Sequence, residues 1–289
     1  MAFSVSQSFD IFLERLTPLQ SERDAKARHR RSVEISLTNS ARFSVQLFRE
    51  SGSFGHGTGV RNHCDVDLLV SMSANRPTSE TALLWVKETL QTSFPTTVVQ
   101  IRRPTVAVMF ADGAEKWEIL PGFRTSPADR TPVYDIPEPT SGWMSSAPTA
   151  HLEYVNEINQ RDGIRGGAKR LARLAKAWKY FNTVPVSSFY LEMRAAQYME
   201  VQTSFRPLVH LCGYFEWLDK IQLADMNDPK GEASRFTACS GTATRASTLS
   251  KLHTAATRAR KALDVEQAGN ISSAFEYLSL LFNGRFPRR

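Results

Sequence analysis

Cysteine is scarce in this chain: Cys64, Cys212 and Cys239 lie far apart in 289 residues, and no Cys-x-x-Cys occurs. That excludes a disulfide framework and a zinc site of the usual ligand spacing, and a reducing cytoplasm is the expected compartment. No run of eighteen apolar residues exists, so no membrane span is expected. The opening "MAFSVSQSFDIFLERL" has neither a basic n-region nor a continuous apolar h-region, which argues against a secretory signal. Internal repeats, interleaved aromatic-basic tracts and zinc-finger-like insertions are also missing. His56 and His63 flank the one glycine-rich stretch and read as loop residues rather than metal ligands. What is present is ordinary globular composition, 42% hydrophobic and 22% charged, with a net charge of +7 that points to an anionic partner.

The chain divides by pattern. Residues 8–49 read as helix with one break, Thr17 capping and Pro18 opening the second part. The cluster "RDAKARHRR" there is basic and fits either a solvated helix face or a phosphate contact. From 65 to 136 the signal changes to short strands, "DVDLLVSM", "TTVVQIRR", "TVAVMF", "KWEILP" and "TPVYDI", with the helix "SETALLWVKETLQTSF" after the first. That order predicts a mixed sheet with helices on one side. Beyond "IPEPTSGWMSSAPTAH" the chain is helical almost to its end. The expected class is therefore α+β and bilobed, with a mixed-sheet lobe at 1–145, a helical lobe at 146–289, and a long N-terminal helix bracing both.

Residues 51–70, "SGSFGHGTGVRNHCDVDLLV", carry the chemistry. Small residues, Gly52 and Ser53 first among them, let a triphosphate approach the backbone, but no Gly-Lys-Ser/Thr ending follows. Instead Asp65 and Asp67 alternate with Val66 and Leu68, so a strand places both carboxylates on one face, roughly 7 Å apart. Such a pair can converge on divalent ions about 4 Å apart. Hard oxygen donors suit Mg²⁺, with Mn²⁺ able to serve.

Gly-Ser, a spacer and Asp-x-Asp on a strand resemble the nucleotidyltransferase superfamily typified by DNA polymerase beta. That resemblance implies a third carboxylate on a neighbouring strand. Glu118 in "KWEILPGF", three residues before Pro121, fits best, although relatives commonly carry aspartate there. Asp112 and Glu115 compete from the loop side. The implied mechanism is phosphoryl transfer assisted by two Mg²⁺ ions, with Asp65 and Asp67 bridging them and Glu118 holding the ion at the nucleophile. Ser53 would grip the donor triphosphate.

In "GAKRLARLAKAWKYF", Leu171, Leu174, Ala175, Trp178 and Phe181 form the apolar stripe of a helix. Lys169, Arg173, Lys176 and Tyr180 fall on its other side, ordinarily a solvated face. Yet "RLAKAWKYFNTVPVSSFYLEM" resembles the bacterial cGAS/DncV-like nucleotidyltransferases, the CD-NTases. "GWMSSAPTAH", "MNDPKGE" and the residues 61–65 add to the match, which spans 48–235 in scattered motifs. The resemblance implies that Lys176 and Ser188 hold the donor's phosphates and that Phe189 stacks on its base. Phenylalanine lacks the hydroxyl of the tyrosine often found there.

The family likeness implies a cytoplasmic enzyme that joins ATP, GTP or other NTPs into a cyclic messenger, with a dinucleotide favoured. The messenger would act in anti-phage defence (CBASS) through a separate effector protein. A regulatory partner is left open, and neither membrane nor nucleic acid is required. Two alternatives stay open: a template-independent nucleic-acid-tailing enzyme, and a catalytically silent antitoxin or binding module on the same fold.

Overall fold

The computed structural model describes residues 4–63, 65–73, 75–113 and 115–288, and the side chain of Asp112 lies outside that description. Cys64 lies outside it too, while Cys212 and Cys239 are free thiols.

Two helices open the chain, α1 (Val5–Leu16) and α2 (Gln20–Thr38). The expected assignment of Thr17 to the start of α2 is corrected. Thr17 ends α1, its N–H bonding to Glu14 O and its hydroxyl to Leu13 O. Leu19 precedes α2, and its N–H is satisfied by the Glu22 carboxylate at 2.6 Å. The extended backbone at Thr17 and Leu19 separates the two. Residues 44–49, expected to be helical, form strand β1 (Ser44–Ser51). Leu47 to Ser51 pair antiparallel with β2 (Val66–Ser73), and those cross-chain hydrogen bonds override the local pattern.

Between β1 and β2, α3 (Gly52–Gly55) is a single helical turn. Helix α4 (Ser79–Ser93) then leads to β3 (Val98–Arg102), β4 (Thr105–Phe110) and β5 (Glu115–Arg124). The Thr78 hydroxyl caps α4 by accepting from Thr81 N. The strand order is β1-β2-β5-β4-β3; β2 and β5 run parallel and the other neighbours antiparallel, giving the expected mixed sheet. Strands β6 (Tyr134–Pro137) and β7 (Trp143–Ser146) continue from the end of β5.

Alternation sorts the faces. Val66, Leu68, Val70 and Met72 of β2 join Trp117 and Ile119 of β5 in a core covered by α2 and α4. Leu69 turns the other way, toward Tyr134 and Ile136.

Helices α5 (Pro148–Asn159), α6 (Gly167–Phe181), α7 (Ser188–Glu200), α8 (Pro207–Lys220), α9 (Thr242–Gln267) and α10 (Ile271–Leu281) share a second core. Helix α1 belongs to that core, while α2 contributes Val33 and Leu37 to the sheet core. Phe9 and Phe12 pack edge-on against Phe282 and Phe286, with centroids 4.7–5.2 Å apart. Each buried phenylalanine contributes roughly 1.5–3 kcal/mol. The N-terminal brace is thus two helices, one anchored in each core. Among the described residues, no helix is long and apolar enough to cross a membrane.

Candidate active site

A cleft of about 900 Å³ separates the sheet face from the helical lobe. Its floor is made by β2 and β5. Parallel pairing sets Asp67 beside Glu118, and antiparallel pairing sets Ser51 beside Asp67. Asp65, Asp67 and Glu118 therefore meet at one wall of the cleft, together with Gly52 and Ser53.

The glycine stretch follows a strand and opens a helical turn, because β1 occupies residues 44–51, the first six of which were expected to be helical. Gly52 is required there. Its φ is +58°, and a Cβ at this position would lie 1.8 Å from Asp67 Oδ2. Gly52→Ala should therefore push the Asp67 carboxylate aside. We expect turnover to fall about 10²-fold, against a stability loss of only about 1–2 kcal/mol from the left-handed backbone. Steady-state rates set beside thermal melting separate the two.

The Asp67 acid is pushed up to about 7, first by its surroundings of protein, then by the negative charges of Glu118 and Asp65. Solvent still reaches the side chain, which is only half-buried. Clustered like charges of this kind call for a cation. Oxygen-only donors fit a hard divalent ion, although no preformed cage of three His, Cys, Asp or Glu groups exists among the described residues.

Lys116, absent from the sequence expectations, already stands in the acidic set. Its Nζ donates to Asp65 Oδ2 at 2.7 Å and to Glu118 Oε1. Burial alone would lower its pKa, but the two carboxylates outweigh that and the net shift is upward. Strand alternation could have found it, since Lys116 lies two residues before Glu118 on the same face.

Glu115, the competing acid, points away. It accepts from Trp117 Nε1 at 2.6 Å and meets His29 at 3.1 Å on the α2 side.

The opposite wall comes from α6 and α7. Ser187 caps α7 by accepting from Tyr190 N, which leaves the Ser188 hydroxyl to face the cleft. The ammonium that reaches Ser188 Oγ, at 2.5 Å, is that of Lys179; Tyr180 Oη lies 3.2 Å from the same oxygen. Phe189 lines the cleft with its ring against His151 and Phe236. His151 meets Asp228 at 3.1 Å, and Asp228 accepts from the backbone N–H groups of Glu232 and Ala233, so the Asn-Asp-Pro loop is pinned beside Phe189.

Lys176 is not on a solvated face. It is 1% exposed, and its Nζ donates to Thr58 Oγ1 at 2.7 Å and Glu192 Oε2 at 2.6 Å. His56 and Thr58 also bond to Glu192, so His56 is an interior residue of a buried ionic cluster. Burial would raise the Glu192 acid, but Lys176 and His56 outweigh it and hold it well below the usual range. His63 instead stacks on Tyr180 at 4.8 Å. Arg173 fixes the loop between α3 and β2 by donating to Gly59 O and Gly57 O.

Burial, then the charge of Lys176, lowers Lys179 to about 8. The unfolded chain binds more protons between about 8 and the ordinary lysine value of 10.5, so carrying this charge costs native stability below that window. Lys179→Met should raise unliganded stability at pH 7 by about 1 kcal/mol, after discounting for solvent screening. It should also weaken nucleotide binding by roughly 10- to 100-fold, the worth of a charged hydrogen bond. Melting curves with and without nucleotide read both effects.

A mixed sheet carrying Asp-x-Asp and a paired acid, facing a helical lobe across a cleft, defines a polymerase-beta-like nucleotidyltransferase. Within that class, residues 3–159 match the Second Messenger Oligonucleotide or Dinucleotide Synthetase (SMODS) domain, and the chain belongs to that family. A search of curated proteins finds no match.

Solved structures share the fold across nearly the whole chain. CdnC of E. coli MS115-1 with ATP is 16% identical with a TM-score of 0.75, covering 98% of this chain and 99% of its own. Vibrio cholerae DncV, a cyclic AMP-GMP synthase in complex with a linear intermediate, is 12% identical with a TM-score of 0.79, covering 100% and 97%. CdnG of Bradyrhizobium diazoefficiens with GTP is 14% identical with a TM-score of 0.72, covering 96% and 98%. The CD-NTase resemblance read from the sequence is borne out.

Proposed function

We propose that this second-messenger synthetase joins NTPs, ATP and GTP first among them, into a cyclic dinucleotide. The observation that carries the reading is one cleft with carboxylates on one wall and Lys179, Ser188 and Phe189 on the other. Asp65, Asp67 and Glu118 would hold two Mg²⁺ ions, which when bound lower the acceptor hydroxyl's pKa and neutralise the departing pyrophosphate. Gly52 and Ser53 let the donor triphosphate approach the acids, and Ser188 with Lys179 grips its far end. Lys176 adds positive charge from behind the wall, and Phe189 offers a ring face for the base.

A cytoplasmic location, a separate effector that binds the product, and a role in anti-phage defence complete the proposal. CdnC of E. coli MS115-1 is known in a complex with HORMA, and a regulatory partner for this chain would be of that general kind.

The test is to incubate the purified protein with all four NTPs and Mg²⁺, treat with phosphatase, and analyse the products by mass spectrometry. Phosphatase-resistant cyclic products are expected. Linear products alone, or no nucleotide consumption, would overturn the reading.

A further inference from the structure

The acidic wall contains one positive charge. On β5, Trp117 and Ile119 enter the sheet core, so Lys116 and Glu118 share the opposite face, the one from which Glu118 lines the cleft. The Lys116 ammonium lies between Asp65 and Glu118 and bonds both. No hydrogen bond or ion pair joins it to Asp67 among the described contacts. The wall is thus divided into a half-neutralised pair, Asp65 with Glu118, which keeps one net negative charge, and Asp67, which the ammonium does not contact.

Charge counting gives this division a consequence. Three carboxylates and one ammonium leave two negative charges when all are ionised. One divalent ion balances them. A second ion at Asp65 and Glu118 would meet the ammonium there, unless the lysine withdraws or extra negative charge arrives. A donor triphosphate brings that charge. Lysine suits such an exchange, being a point charge on a flexible four-carbon stem rather than a rigid fork. Its side chain is 24% exposed, so it has solvent to move into.

We propose that Lys116 is a resident cation of the active site: it holds the Asp65–Glu118 position in the unloaded enzyme and yields it to a divalent ion only when a nucleotide is bound. The second ion then arrives with substrate, and the acids stay paired between turnovers. The proposal rests on the nucleotidyltransferase reading of these acids.

The experiment counts bound Mn²⁺ by the loss of its free electron paramagnetic resonance signal at pH 8, with the full-length protein. Without nucleotide, the wild type is expected to bind one Mn²⁺ tightly, and a second only when a non-hydrolysable ATP analogue is added. Lys116→Met should bind the second ion without nucleotide, at least about tenfold more tightly than the wild type, as removal of a unit charge a few ångströms away requires. Lys116→Arg, which keeps the charge, should behave like the wild type. If Lys116→Met does not fold, Lys116→Gln takes its place with the same expectation. Equal stoichiometry and affinity in the wild type and the neutral variant would overturn the proposal, as would an absence of Mn²⁺ binding in both. Product formation is scored separately. Unchanged Mn²⁺ counts in a protein that makes cyclic product would sink the Lys116 proposal alone; altered counts in a protein that makes none would sink the cyclic-product reading alone.

Discussion

Asp65→Ala combined with Asp67→Ala is expected to lower product formation by at least ~10³-fold, because the acids proposed to hold the ions would supply several kcal/mol of transition-state stabilisation. The loss should not be a folding defect. Asp67 sits among Glu118 and Asp65 with its acid pushed up to about 7, so its charge opposes the native state. A carboxyl whose native pKa is raised contributes stability fully present below the unfolded value of 3.8 and lost as pH rises toward 7. The double variant lacks that loss. At pH 8 without divalent ions its melting temperature should equal or exceed that of the wild type. Lys116 keeps Glu118 as a partner in the variant. An inactive variant with a lower melting temperature would mean that the two aspartates serve the fold rather than the chemistry.

Glu192→Ala is expected to act in the opposite way, on stability first. Glu192 is 2% exposed and is the only carboxylate that pairs with Lys176 or His56 among the described contacts. Removing it strands the ammonium of Lys176, itself 1% exposed, and truncating one partner of a buried pair costs about 3–5 kcal/mol. For a chain of this size that corresponds to a melting temperature lower by roughly 10 °C. Lys176→Met alone should cost a comparable amount. The double variant Lys176→Met with Glu192→Leu should recover much of it, because no buried charge is then left without a counterion.

The acid response follows from the same cluster. A carboxyl with a depressed native pKa contributes stability present above the unfolded value of 4.5, and that stability is lost as pH falls below it. Wild-type stability should therefore decline in acid more steeply than that of the double variant, which urea melts at pH 3.5 and pH 7 would show. The comparison also separates two lysines. Lys176 variants should lose stability, whereas Lys179→Met should lose nucleotide affinity.

Much of this site was legible in the sequence. The alternation in "DVDLLV" fixed which residues share a face, since the two-residue period of a strand is a property of the chain alone. The helices beyond residue 148 announced themselves in the same way, by period and by strong helix formers. Lys116 was equally legible, two residues before Glu118 on the same face of the same strand.

Other features were decided only by tertiary contacts. "SVQLFRES" suits helix or strand, and its pairing with β2 across fifteen or more residues made it β1. Lys176 and Lys179 stand three residues apart on one helix, only about 60° apart around its axis, so they lie on nearly the same side. Nothing local says which of them meets Ser188 and which is buried. The loop carrying Thr58 and the side of α7 carrying Glu192 close over Lys176, and Lys179 is left at the cleft. Periodicity assigns a residue to a face; only the partner elements, distant in sequence, determine whether that face meets water, a counterion or a substrate.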